Sequence, residues 1–189
     1  MMTITRRPLL QRVAAFTCGS AIVFGAGLAR PLADTDKVNA VRYEDRILGR
    51  LAEQGFVRSA TLRELVAQLE RSQVIVYATI SRDLDGGVGG RLRFVGHSKD
   101  GWRFLRIEVD DRGTRLELLA MLGHELQHAV EVAGACDVVD SDSMAALYDR
   151  IGFPSAGGRK NPGTTRDYET QAAIDTGKRV YSELLGNHW

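Results

Sequence analysis

The sequence predicts an α+β fold, a small antiparallel sheet packed against helices, and three observations carry that reading. Apolar residues recur at helical spacing near both ends of the chain, β-branched residues crowd its middle, and a long apolar-faced segment, residues 114–134, follows them. The 189 residues are 44% hydrophobic and 26% charged, an ordinary composition for a folded globule. With 25 Lys+Arg against 24 Asp+Glu, the formal net charge of +1 removes the usual electrostatic argument for a nucleic-acid partner.

Residues 1–33 read as an export signal that precedes a single domain, residues 34–189. Arg6, Arg7 and Arg12 supply a positive start, and residues 13–29 carry no charge. Cleavage after Ala29 or after Ala33 fits the small residues that follow. Thr5-Arg6-Arg7-Pro8-Leu9-Leu10 is similar to the twin-arginine export pattern, so the expected destination is the periplasm or the medium. Retention as an anchor is the competing reading, although a span wants about 20 residues. Removing the segment takes four arginines (Arg6, Arg7, Arg12, Arg30) from the 25 basic residues and none of the 24 acidic ones, leaving 21 against 24. The remaining chain keeps one cysteine, Cys136, read as a small buried residue, so no internal disulfide is available.

Residues 38–54 predict a first helix through Val41, Ile47, Leu48 and Leu51, with Gly55 as its stop. Residues 61–71 predict a second, with Thr61 and Glu64 spaced as a capping box. Residues 73–80, 91–95 and 101–109 then predict three strands of a meander. The glycines of residues 85–90 lie in a strand connection that reads as a hairpin loop, since no Lys-Ser/Thr and no helix follow to make a phosphate cradle. Arg91, Arg93, Arg103 and Arg106 read as a solvated sheet face. Residues 114–134 form the long helix, a shorter one capped by Asp140 or Ser141 runs to Arg150, and residues 152–165 are loop. A last helix is expected over residues 166–185, capped by Thr164 or Thr165.

The chemistry sits in His124-Glu125-Leu126-Gln127-His128. Histidines spaced i, i+4 inside a helix project from one face on successive turns, about 6 Å apart along the axis, and can share one zinc ion. Glu125 lies about 100° around the helix from His124, beside rather than among the ligands. Neutral imidazoles leave most of the metal charge in place, so a bound water falls from a pKa of 15.7 to about 7, and an adjacent carboxylate can take its proton.

The stretch Met121-Leu122-Gly123-His124-Glu125-Leu126-Gln127-His128-Ala129-Val130 resembles the active-site helix of the zincin metallopeptidases. That resemblance implies His124 and His128 as Zn2+ ligands, Glu125 as general base, a peptide or protein substrate, and a zincin-like fold in which an exposed sheet edge holds the substrate. The last strand, residues 102–109, is the expected edge. The metzincin continuation is missing, because Glu131 and Gly134 stand where that pattern has Gly and a third His. Two carboxylates compete for the third position. Glu131 shares the histidine face but lies about 10 Å along the axis from His124. Glu169, expected near the start of the last helix, approaches from across the site, with Ala172 and Ala173 small enough for close helix contact, and is favoured. This resembles the gluzincin branch, in which a downstream helix donates a glutamate, with a longer separation from His128 than the best-known members have. Asp137, Asp140 and Asp167 are weaker candidates. Tyr148, Tyr168, His97 and His188 have polar atoms suited to an oxyanion donor or to orienting a ligand, although a core or surface role suits each better.

The expectation is therefore an exported zinc-dependent peptidase with no membrane span once the signal is removed. Two other functions fit the same residues: a zinc-binding envelope protein without catalysis, and hydrolysis of a non-peptide amide.

Overall fold

The middle of the chain forms the expected strands, but pairs them in a different order. The structure is a computed structural model and describes residues 39–84, 88–155 and 168–186. The expected signal, the glycines Gly86 and Gly87, the caps Thr164 and Thr165, Asp167 and His188 lie outside those residues. Strands β1 (Val41–Tyr43), β2 (Val74–Ile80), β3 (Gly90–His97) and β4 (Arg103–Val109) make one sheet in the order β1-β2-β4-β3. β2 runs parallel to β1 and to β4, and only β3 is antiparallel, pairing with β4. The meander is thus corrected to a mixed sheet. Burial gives the reason: β4 is buried at five of its seven positions and takes the centre, whereas β3 alternates half-buried and exposed residues and takes the edge. β2 and β3 are not neighbours in the sheet, so the hairpin expected between them is corrected. Gly101, at φ +83°, makes the turn that brings β4 back inside β3.

Five helices flank the sheet among the described residues, so the α+β class stands. Helix α1 (Arg46–Arg58) starts at Asp45, whose carboxylate accepts from Ile47 N at 2.7 Å and Leu48 N at 3.1 Å. The expected first helix is corrected at both ends, because residues 41–43 pair as a strand and Gly55 lies inside α1. There Gly55 lets Leu62 and Leu119 approach closely. Ser59 ends α1 and caps α2 (Ala60–Glu70), its Oγ accepting from Leu62 N at 3.1 Å. Thr61, the expected cap, instead donates from Oγ1 to Glu183 Oε1 at 2.8 Å.

Helix α3 (Arg115–Gly134) begins with the capping box of Thr114 and Glu117, and α4 (Ser141–Ile151) with that of Asp140 and Ser143. β5 (Phe153–Pro154) pairs antiparallel with β6 (Tyr168–Glu169), so the stretch read as loop opens with a strand. Helix α5 (Gln171–Gly186) follows directly. No helix among the described residues is long and apolar enough to cross a membrane.

Sheet parity separates the arginines. Arg42, Tyr77, Arg106 and Arg93 share one rung across all four strands, and Arg91 pairs with Glu108 on the same face. Arg103 is two residues from Leu105 and four from Ile107, so it shares their core-facing side and is buried. It donates to the carbonyls of Val132 (2.7 Å), Ala135 (2.6 Å) and Ala133 (3.1 Å) around the C-terminal end of α3, where a cation also meets the negative end of the helix dipole. The solvated-face reading is corrected for this one residue. Cys136 is likewise corrected from buried to exposed, since Val138 fills the apolar position after α3.

Candidate metal centre

Helix α3 supplies three polar side chains to a position where a helix would ordinarily carry apolar ones. It is enclosed by the sheet on one side and by α5 and α2 on others, and its apolar residues Leu118, Leu119, Leu122, Leu126, Ala129 and Val132 are buried. His124, Glu125 and His128 are buried among them, between 4% and 9% exposed, so the polar groups must find partners or ligands within the fold. Close contact with α5 is made by glycines. A Cβ on Gly123 would lie 2.8 Å from Val180 Cγ2, and one on Gly177 3.3 Å from His124 Cβ. Of the two alanines expected to allow this approach, Ala173 is buried and Ala172 is exposed.

The two imidazoles meet edge to face, with ring centroids 4.9 Å apart. Glu169 arrives from β6, and its Oε2 lies 3.1 Å from His124 Nε2. One nitrogen from each histidine and one Glu169 oxygen all lie within 4.8 Å of one another, a cluster that could hold a metal ion. Glu169 was expected on the last helix; it stands instead on the strand before it. Thr170, the residue after the glutamate, sets that boundary, because its Oγ1 accepts from Ala173 N at 3.1 Å and α5 starts at Gln171.

The donor set suits zinc. Two imidazole nitrogens and one carboxylate oxygen are an established zinc combination, and tetrahedral bonds of about 2.0–2.1 Å separate neighbouring donors by about 3.3 Å. Glu169 Oε2 is buried and has no hydrogen-bond partner among the described residues, although it lies 3.1 Å from His124 Nε2. A buried carboxylate oxygen without a donor is costly unless something else neutralises it.

Electrostatics divide the carboxylates. Burial pushes the Glu125 pKa up, and the opposing fields of His128 and His124 do not cancel it. Burial also acts to raise Glu169, but contact with His124 and the field of His128 outweigh it and hold that carboxyl low. For His124, burial is the largest influence and favours the neutral ring, yet Glu169, Glu125 and Glu131 together raise its pKa. Burial, then the fields of the surrounding glutamates, keeps Tyr148 a protonated phenol.

The remaining sequence candidates are accounted for by other contacts. Glu131 bonds to His128 rather than joining the three clustered donors. Tyr148 packs its ring edge-on to His128, centroids 5.3 Å apart, and donates to the His128 carbonyl at 3.1 Å. Tyr168 donates to Asp149 at 2.6 Å. Asp137 pairs with Arg150, Asp140 caps α4, and His97 is exposed at the far end of β3.

Two glycines escaped sequence reasoning. A Cβ on Gly90, the first residue of β3, would sit 2.6 Å from Glu125 Oε1, so a glycine is needed for the edge strand to pass the acid. A Cβ on Gly152 would sit 2.7 Å from the Glu169 carbonyl and 3.0 Å from that of Tyr148, both backbone. Neither position carries a periodic signal. Thr170 did carry one, being the polar residue immediately before the apolar pattern of α5.

No protein-family model matches the chain, and neither a curated protein nor a solved structure matches it. The likeness to zincins therefore rests on local residues and their geometry.

Proposed function

We propose that this chain is an exported zinc-dependent metallopeptidase, with His124, His128 and Glu169 as ligands and Glu125 as general base. One observation carries the reading: three donors from two separate elements converge within 4.8 Å, beside a buried carboxylate of raised pKa. When bound, zinc would supply a Lewis acid that polarises a carbonyl and acidifies water. The two histidines and Glu169 would hold the ion through one ring nitrogen each and one carboxylate oxygen. Glu125 takes a proton from attacking water and returns it to the departing amine, a role that suits a carboxyl whose pKa burial raises. Export rests on Arg6, Arg7 and Arg12 and the uncharged run that follows.

The expected substrate edge is revised. β4 is paired on both sides, whereas β3 has no second neighbour among the described strands and begins at Gly90, against Glu125. An extended peptide can therefore add to β3, its backbone meeting unpaired strand groups.

The decisive experiment compares Glu125→Gln with His128→Ala in purified protein. Glu125→Gln keeps bound zinc and loses at least about 100-fold in peptide hydrolysis, the usual scale for general-base removal, while His128→Ala loses both. Unchanged turnover in the Glu125 variant rejects the mechanism, and zinc binding without hydrolysis by the unaltered chain favours a non-catalytic envelope protein.

A further inference from the structure

Glu131 is a largely buried carboxylate that the proposed chemistry does not use. It lies one turn beyond His128 on α3, its side chain 11% exposed and that of His128 6%. Glu131 Oε2 is 2.9 Å from His128 Nδ1. Its other oxygen, Oε1, accepts from Thr170 Oγ1 at 2.7 Å. Facing a carboxylate acceptor, the neutral ring places its hydrogen on Nδ1, the tautomer that leaves the Nε2 lone pair free. Thr170 is 3% exposed, follows Glu169 in the chain, and uses its remaining capacity to accept from Ala173 N. One carboxyl group thus touches the ring of one proposed ligand and the neighbour of another, and it joins α3 to the β6–α5 junction.

We propose that Glu131 is a positioning residue that holds His128 and Glu169 in a shared geometry, one oxygen fixing the imidazole's orientation and tautomer and the other anchoring the turn that presents Glu169. With both oxygens engaged, it is a partner of the ligands and not the third ligand. This inference rests on the zinc reading above. Its physical basis is that a metal-binding histidine donates its second N–H to an acceptor that sets the ring's angle and basicity. The added element is Thr170, through which loss of Glu131 is felt at a ligand it never touches.

The test measures zinc affinity of the full chain by competition with a chelator, alongside the melting temperature of the metal-free protein. Glu131→Ala weakens zinc binding by about 10- to 100-fold, the range for removing such partners. Glu131→Gln, which keeps the shape and one acceptor, falls between that variant and the original. Thr170→Ser retains affinity, Thr170→Val weakens it, and Glu131→Ala combined with Thr170→Val loses less than the two single effects together. Cobalt(II) in place of zinc keeps its four-coordinate absorption in Glu131→Gln. Wild-type affinity in Glu131→Ala overturns the proposal, as does a cobalt spectrum showing one ligand fewer in Glu131→Gln. The zinc reading fails separately if His128→Ala and Glu169→Ala both bind zinc as the original chain does.

Discussion

The two elements that meet at the candidate centre are held in different ways. Helix α3 is 20 residues long, enclosed by the sheet, α2 and α5, and tied at its end by Arg103. The β5–β6 ribbon that carries Glu169 has two residues per strand, with both Phe153 and Pro154 exposed. Two of the three donors are therefore fixed by the core of the protein, whereas the third depends on a few backbone contacts and on Thr170. Such a ribbon has little stability of its own, so Glu169 is the donor whose location is easiest to disturb without unfolding the molecule.

Replacing Leu126, fully buried on α3 between the two histidines, by Ala costs about 2–5 kcal/mol of stability, because a cavity opens in the core. Chemical denaturation measures it, and zinc binding is lost only to the extent that the protein unfolds. Gly152→Ala perturbs the ribbon instead. Its methyl group meets two backbone carbonyls, so the expected outcome is a weaker zinc complex, by about 10-fold (1.4 kcal/mol), with a smaller fall in denaturation midpoint than Leu126→Ala shows. Equal stability losses in the two variants would erase the contrast between helix and ribbon. Gly90→Ala moves Glu125 and leaves the three donors alone, so hydrolysis falls while zinc content stays constant.

The smallest effect concerns the far end of α5. Burial works to raise the Glu183 pKa, but hydrogen bonds from Ser59 and Thr61 at the start of α2 outweigh it and lower the pKa. A depressed carboxyl contributes stability that is present above its unfolded value, about 4.3, and is lost as pH falls through the folded value. Glu183→Gln should therefore be slightly less stable than the original chain at neutral pH and converge with it on acidification. Denaturation curves across that range test the sign; a constant difference at all pH values rejects it.

Much of this arrangement was legible in the residues. The extent of α3 followed from the apolar spacing of residues 114–134, and His124, Glu125 and His128 from their own spacing, because both signals are local and have helical period. The strands were legible as strands, yet their order was not. Pairing is a property of distant segments, and the choice of β4 for the centre depends on burial at both faces, which a run of alternating residues does not reveal. Arg103 illustrates the same limit. It was read with the other arginines as part of a solvated face although it shares the parity of Leu105 and Ile107, and only the three carbonyls at the end of α3 explain a buried guanidinium there. Glu169 was found by its chemistry and misassigned to a helix, since Thr170, next in the chain, takes the cap.

The Arg103 contact also serves as a ruler. Moving α3 along its axis by one turn, about 5.4 Å, would separate the guanidinium from all three carbonyls at once. The distance from the end of the helix to the central strand is therefore set, and with it the height of Glu125 above the first residue of β3. An axial coordinate of the acid is determined in this way by a cation on the neighbouring strand, 22 positions earlier in the chain.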